Sequence, residues 1–380
     1  MRTFDKIATN LKWLPAYFMH GRLSAEDLKV QKHVMIAVAD HFEPCYTGIS
    51  QTFKSVREQV ELVRNWAARY PQTTNEWRDA DGHPFKHSYF YPAEHNHPEV
   101  LSILAEHCRD GWGEIEVHLH HGIERPDTAA NTRKTLQAYR DELVRLGCLS
   151  RTETDSTPRY GFVHGNWTLA NCGNDRYCGV DEEMQILSDT GCYADFTMPA
   201  APEPAQVSTM VNSIYESTLP FDQRAPHRRG RNLKVGVSPK KFPIMVQGPL
   251  ILDFGRGRAM PGIENGELSG SNPATLRRFE LWRQAGISVE GRPDLCFIKL
   301  HCHGMIPRDH SAMLGELKSN FVRQLTELSK STGEFQLHFV TAREMVNIIL
   351  AACDGRSGDP GDFRDYRYRL FGSPRKAEVK

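Results

Sequence analysis

The chain has 380 residues, and 47 Lys and Arg are balanced by 47 Asp and Glu, for a formal charge of zero. That balance excludes the basic footprint of a general nucleic-acid or anionic-membrane binder. Hydrophobic residues at 39% and aromatics at 9% exclude a disordered chain, and no apolar run approaches the roughly 18 residues of a membrane span.

Residues 1–32 read as an N-terminal helical arm, and their sequence lacks the apolar stretch and cleavage site of a secretory signal. The apolar run Val34 to Ala39 then suits a strand buried on both faces. Phe53, Val56, Val60, Val63 and Ala67 stripe a helix that Pro71 ends. Ser88 to Tyr91 predicts a strand, and Pro98 opens a helix carrying Leu101, Leu104 and Cys108. Glu114 to Leu119 alternates as a strand does, and Leu136, Tyr139, Leu143 and Leu146 stripe the next helix. Tyr160 to His164 (strand), Glu183 to Thr190 (helix) and Tyr193 to Met198 (strand) continue the rhythm.

Residues 199–247 are polar and aperiodic and read as a long loop insertion. Leu250 to Phe254, Cys296 to Leu300 and Phe335 to Val340 predict further strands. A helix striped by Leu317, Phe321, Leu325 and Leu328 lies between the last two. Thr341 and Glu344 form a capping box that opens the last helix. Seven or eight strands alternating with helices imply βαβ units and a parallel sheet. No glycine-rich phosphate loop follows the first strand, so the expected fold is α/β: a distorted (β/α)7–8 barrel over 33–354, with an extended tail from 355 to 380. Nine cysteines without a framework spacing fit thiols kept reduced in a cytoplasm.

Five of the 17 histidines sit in two short clusters at strand ends. His118 and His120 share a face, about 6.6 Å apart along the backbone, a spacing at which two imidazoles converge on one metal. His121 follows directly. His301 and His303 share a face at the end of a late strand, and Asp40-His41 ends the first strand. Residues at the C-terminal ends of barrel strands face the active site. A carboxylate with several imidazoles makes a site for a divalent cation, zinc being favoured by the imidazole count. Such a site lowers the pKa of a bound water and polarises a carbonyl; a spare carboxylate takes the water's proton and a histidine protonates the leaving group. The expected chemistry is metal-assisted hydrolysis of an acyl group. Weaker signals are Cys172, Cys178 and Cys192, whose spacing matches no common zinc pattern. The arginine-rich stretch Arg224 to Arg231 reads as a solvated loop, or as a surface for an anionic substrate or a second subunit, so self-association is left open.

The order of a strand-end Asp, a Glu-Ile-x-x-His-x-His segment, a late Leu-His and a final Thr-Ala-Arg-Glu-Met resembles the polysaccharide deacetylases of carbohydrate esterase family 4, in the glycoside hydrolase/deacetylase barrel superfamily. The resemblance spans about residues 33–352. It implies Asp40 as catalytic base and His301 as general acid. His41 stands where the family has a metal-binding aspartate, so either Asp40 is a ligand or His41 replaces the lost carboxylate. His118 fits the first position of the family's His-x-x-x-His motif, and Gly122 occupies the second, so His120 or His121 substitutes. His164 and Trp167 are expected in the substrate pocket with His121 and His303, and Asp195 as an orienting partner of a ligand histidine. The implied function is removal of an acyl group, acetyl by preference, from a saccharide in polysaccharide or glycoconjugate assembly. The alternatives are a different metal hydrolase (amidohydrolase or phosphoesterase type) and a saccharide-binding barrel without chemistry.

Overall fold

A computed structural model describes residues 3–47, 52–74, 76–255 and 261–372. Its main sheet has eleven strands, numbered here in chain order. They are β1 His33–His41, β2 His87–Pro92, β3 Gly113–Leu119, β4 Tyr160–His164, β5 Cys192–Asp195, β6 Ile214–Ser217, β7 Gly230–Asn232, β8 Ile244–Val246, β9 Glu267–Leu268, β10 Leu295–Cys302 and β11 Gln336–Phe339. The order across the sheet is β9-β10-β1-β2-β3-β4-β5-β8-β6-β7, with β11 beside the first half of β1. Every pairing from β9 to β8 is parallel, and only β6 with β8 and β6 with β7 are antiparallel.

The parallel βα order is therefore as expected, but the sheet does not close into a barrel among the described residues. One end is the two-residue β9, too short to carry a further ladder, and the other is the antiparallel β6–β7 pair. The segment 199–247 is not simply an insertion, because it contributes β6, β7 and β8 to the sheet. Runs of three or four residues are too short to show periodicity. Ile251–Asp253 does form a strand, paired antiparallel with Gly262–Glu264 outside the main sheet.

Strand alternation sorts the core into two layers. Val34, Ile36 and Val38 of β1, Ile115, Val117 and Leu119 of β3, and Cys296, Ile298 and Leu300 of β10 pack on one face. There they meet Val63 and Trp66 of helix Val56–Arg69 and Leu101 and Leu104 of helix Pro98–His107. Met35, Ala37, Ala39 and Phe297 face the other way, toward Val163, Phe196 and the apolar residues of helix Ala342–Cys353. We call these the outer and inner faces. On the inner face Lys299 Nζ reaches across to donate to the Phe196 carbonyl at 2.8 Å.

The capping box is present: Thr341 accepts from the Glu344 amide and Glu344 from the Thr341 amide. The N-terminal arm is helical over Thr3–His20 and buries Trp13 and Tyr17. The tail to residue 372 does not run free but packs back on the body: Pro360–Phe363 form a 3-10 turn and Arg369–Leu370 pair antiparallel with Ser150–Arg151. Arg364 is buried and paired with Asp79, Asp81 and Glu344, and the Tyr368 carbonyl accepts from Arg343 and Asn347. The rest of the expected tail, 373–380, lies outside the described residues. No helix among the described residues is long and apolar enough to cross a membrane.

On the outer face His107 Nε2 lies 2.8 Å from Tyr89 Oη, and burial pushes the imidazole from 6.5 down to about 3. A depressed histidine contributes stability that is present above pH 6.5 and is lost as pH falls toward 3. His107→Gln should therefore flatten the stability profile below pH 6.5, by up to about 1.4 kcal/mol per pH unit. Denaturant midpoints measured across that range check it; parallel wild-type and variant profiles contradict it.

Candidate metal centre

The parallel register sets Ala39 beside His301 and Asp40 beside Cys302, so β1 and β10 end at one level. β2 and β3 continue the same rim. The segments near positions 40, 120 and 301 thus meet as the sequence suggested.

Alternation decides which side chains share a face. His41 continues the inner row of Ala37 and Ala39, His118 that of Glu116, and His301 and His303 that of Lys299. The ring of His41 lies 4.8 Å from that of His118, 4.7 Å from His303 and 6.3 Å from His301, centroid to centroid. Glu43, two residues beyond His41, enters the same space. Its Oε1 is 3.0 Å from His118 Nε2 and 3.1 Å from His120 Nε2. His120 Nδ1 in turn lies 2.8 Å from Glu94 Oε1. His41, Glu43 and His118 each offer a ligand atom within 4.8 Å of the others, and all three are buried.

Burial and the neighbouring imidazoles of His303 and His118 push His41 well below the ordinary histidine value. Burial likewise lowers His118. Burial works to raise Glu43, but hydrogen bonding to His118 and His120 outweighs it and holds the carboxyl well below the usual range. His120 shows the reverse balance: against burial, Glu43 and Glu94 push it up to about 10.

The donors fit a divalent cation. His118 Nδ1 lies 2.9 Å from the Val163 carbonyl, which can only accept, so that nitrogen carries the ring proton. Nε2 then faces the Glu43 carboxylate at 3.0 Å: a proton on a charged ring links them, but burial works against that charge, and a neutral ring leaves two acceptors face to face. A cation between them resolves the conflict. His41 Nδ1 is buried with no hydrogen-bond partner, as is His301 Nδ1.

His301 and His303 also line a cavity of about 350 Å³, with Trp167, Pro199, Asn265 and Arg308. Trp167 and Glu203 connect it to a second cavity of about 730 Å³ that carries Lys12, Arg176 and Arg228. Trp167 adopts φ 59°, a left-handed conformation uncommon outside glycine.

Several expected residues stand elsewhere. Asp40 points to the outer face, where its carboxylate is 3.0 Å from His87 Nδ1 and accepts from the Gly304 amide at 2.8 Å. It ties β1 to the end of β10 rather than entering the histidine group, and any Cβ on Gly304 would sit 2.5 Å from it. His120 has both nitrogens engaged by carboxylates. His121 and His164 fall on the outer face, away from the cavity. Asp195 accepts from the Thr197 hydroxyl at 2.7 Å and the Thr197 amide at 3.1 Å, and meets no histidine ring. Burial raises it to about 7, while burial lowers Lys299 to about 7. Glu43 and Glu94 were not singled out from the sequence. For Glu43 the two-residue spacing from His41 is the signal; Glu94 follows β2 in a short turn with no motif around it.

In comparisons with known proteins, no family matches the chain and no curated protein matches it.

Asp40→Asn should cost about 1–3 kcal/mol of stability, the scale of a disrupted buried hydrogen-bonded group, and leave the uptake of added zinc unchanged. Thermal unfolding and elemental analysis of the same preparation check this; loss of zinc with stability intact would make Asp40 a ligand.

Proposed function

We propose that the chain is a metal-dependent hydrolase that removes an acyl group from a saccharide, a divergent relative of the polysaccharide deacetylases. The observation that carries this reading is the buried His41–Glu43–His118 group opening, through His301 and His303, on a cavity walled by Trp167. On this reading His41, Glu43 and His118 hold the cation, and zinc suits two imidazoles and a carboxylate. When bound, the ion polarises the acyl carbonyl and stabilises developing negative charge.

The chain's own residues supply the rest. Glu94 Oε2 is buried without a hydrogen-bond partner, while Oε1 is fixed by His120, so one oxygen is left to accept a proton from the attacking water. Against the effect of burial, His120 and His118 hold the Glu94 carboxyl below its usual range, so it is ionised at neutral pH. As the carbon–nitrogen or carbon–oxygen bond breaks, His301 gives a proton to the leaving atom. Burial and the nearby Lys299 hold its pKa well down, so the ring rests neutral and must first take up the proton released by the attacking water before passing it to the leaving atom. Trp167 offers an apolar ring to a sugar face. Nine free thiols support a reducing, cytoplasmic setting.

A phosphoester substrate is the second reading, favoured by Lys12, Arg176 and Arg228 along the connected cavity.

Two variants test the roles. His118→Ala should weaken zinc binding at the His41–Glu43–His118 group by more than about 100-fold, beyond the effect of losing a ligand's supporting partner. His301→Ala should keep its zinc and lose about 10²- to 10⁴-fold in kcat on acetylated saccharides, the usual worth of a positioned acid. Turnover unchanged in the second variant removes the acid role. Hydrolysis of phosphoesters but not acetyl groups replaces the reaction, and no zinc and no turnover in wild type leaves a saccharide-binding protein.

A further inference from the structure

The outer face of the same rim carries a second group of ligand atoms. His121 lies just beyond β3, His164 ends β4, Cys178 sits in the following loop, and Glu183 opens helix Glu183–Thr190. All four are buried, with exposures of 7%, 0%, 0% and 0%. Their ligand atoms lie within 4.8 Å of one another. Strand parity separates them from the inner group: His164 shares its face with Tyr160 and Phe162, and His121 shares its face with Leu119, all outer-layer residues.

We propose that His121, His164, Cys178 and Glu183 form a closed structural zinc site, distinct from the inner centre. Four protein ligands including a thiolate, with no open position, are the mark of a structural rather than a catalytic zinc. The charges balance within the site: one thiolate and one carboxylate offset the two positive charges of the ion, so the ion with its four ligands is neutral.

The partners around the group fit this use. His121 Nδ1 lies 2.9 Å from Asp127 Oδ2, which also accepts from Thr132 at 2.8 Å. A carboxylate on one ring nitrogen turns the other toward a metal and fixes the ring. That other nitrogen, Nε2, is 2.9 Å from Glu183 Oε1, and Cys178 Sγ is 3.5 Å from Glu183 Oε2. The independent observation is His164. Its ring is wholly buried and its Nε2 has no hydrogen-bond partner, with the nearest Glu183 oxygen at 3.8 Å. A 3.2 Å contact from the Asn166 amide to His164 Nδ1 is given up when Nε2 takes the ion. Binding releases the thiol proton of Cys178 to solvent, together with the extra proton on any charged imidazole.

The site has an evident task. Between Trp167 and Tyr177 six non-glycine residues hold positive φ, a conformation that persists only where surroundings over-determine it. An ion fastening Cys178 and Glu183 to the ends of β3 and β4 anchors that loop, and with it Trp167 at the junction of the two cavities.

The test uses the full chain with cobalt(II) in place of zinc. Wild type should bind about two equivalents and show a thiolate-to-cobalt charge-transfer band in the near ultraviolet. His118→Ala should fall to about one equivalent and keep the band. Cys178→Ser and Glu183→Gln should also fall to about one equivalent, Cys178→Ser losing the band altogether. Because these two variants risk misfolding, zinc K-edge absorption on His118→Ala supplies the check in a protein with the outer site intact: one sulfur at about 2.3 Å is expected. A zinc shell without sulfur, no zinc retained by His118→Ala, or a band that survives Cys178→Ser overturns the proposal. None of those outcomes bears on the inner centre, which His118→Ala removes.

Discussion

Side-chain alternation at the ends of parallel strands is the constraint on which the rim depends. Once Ala39 is in register with His301, every neighbouring residue is committed to a face, and one step along the strand moves a side chain to the other side of the sheet. Asp40 and His41 are adjacent in sequence and separated by the full thickness of the sheet in function. Asp40 becomes an outer-face brace under Gly304 and beside His87. His41 becomes part of an inner cluster with Glu43 and His118. The same rule splits His120 from His121, so a run of adjacent histidines supplies two different groups.

Both groups set imidazoles against carboxylates in places from which water is excluded. Burying an ionised carboxylate costs several kcal/mol unless it is paired, and here the pairing is partial. On the inner face His120 is held charged between Glu43 and Glu94, while His41 and His118 are driven toward neutrality. Neutral imidazoles beside anionic carboxylates are the protonation states a divalent cation requires. The cavity then begins where the cluster ends, at His301 and His303.

Much of the scaffold was legible because it rests on local signals. The apolar run of β1, the alternation of β3, the β4 strand from Tyr160 to His164 and the Thr341–Glu344 capping box are encoded within a few residues each. The convergence of the three histidine segments was legible too, because strand ends of a parallel sheet share a rim. Closure of the sheet was not, since it depends on how two distant edges meet. β6, β7 and β8 are too short to leave a periodic trace. The family motif puts Asp40 with the histidines, whereas alternation along β1 puts it on the face opposite His41. Glu43 obeyed that parity and was overlooked, while Glu94 reaches His120 from a turn whose sequence carries no metal-site spacing.

The central claim is that a cation sits between His41, Glu43 and His118. Crystals grown with zinc and measured on both sides of its absorption edge test it directly. The account predicts an anomalous difference peak on the inner face, within about 2.0–2.2 Å of one nitrogen of His41 and His118 and an oxygen of Glu43. A map with no peak there, or with the inner zinc bound by Asp40 instead, would contradict it.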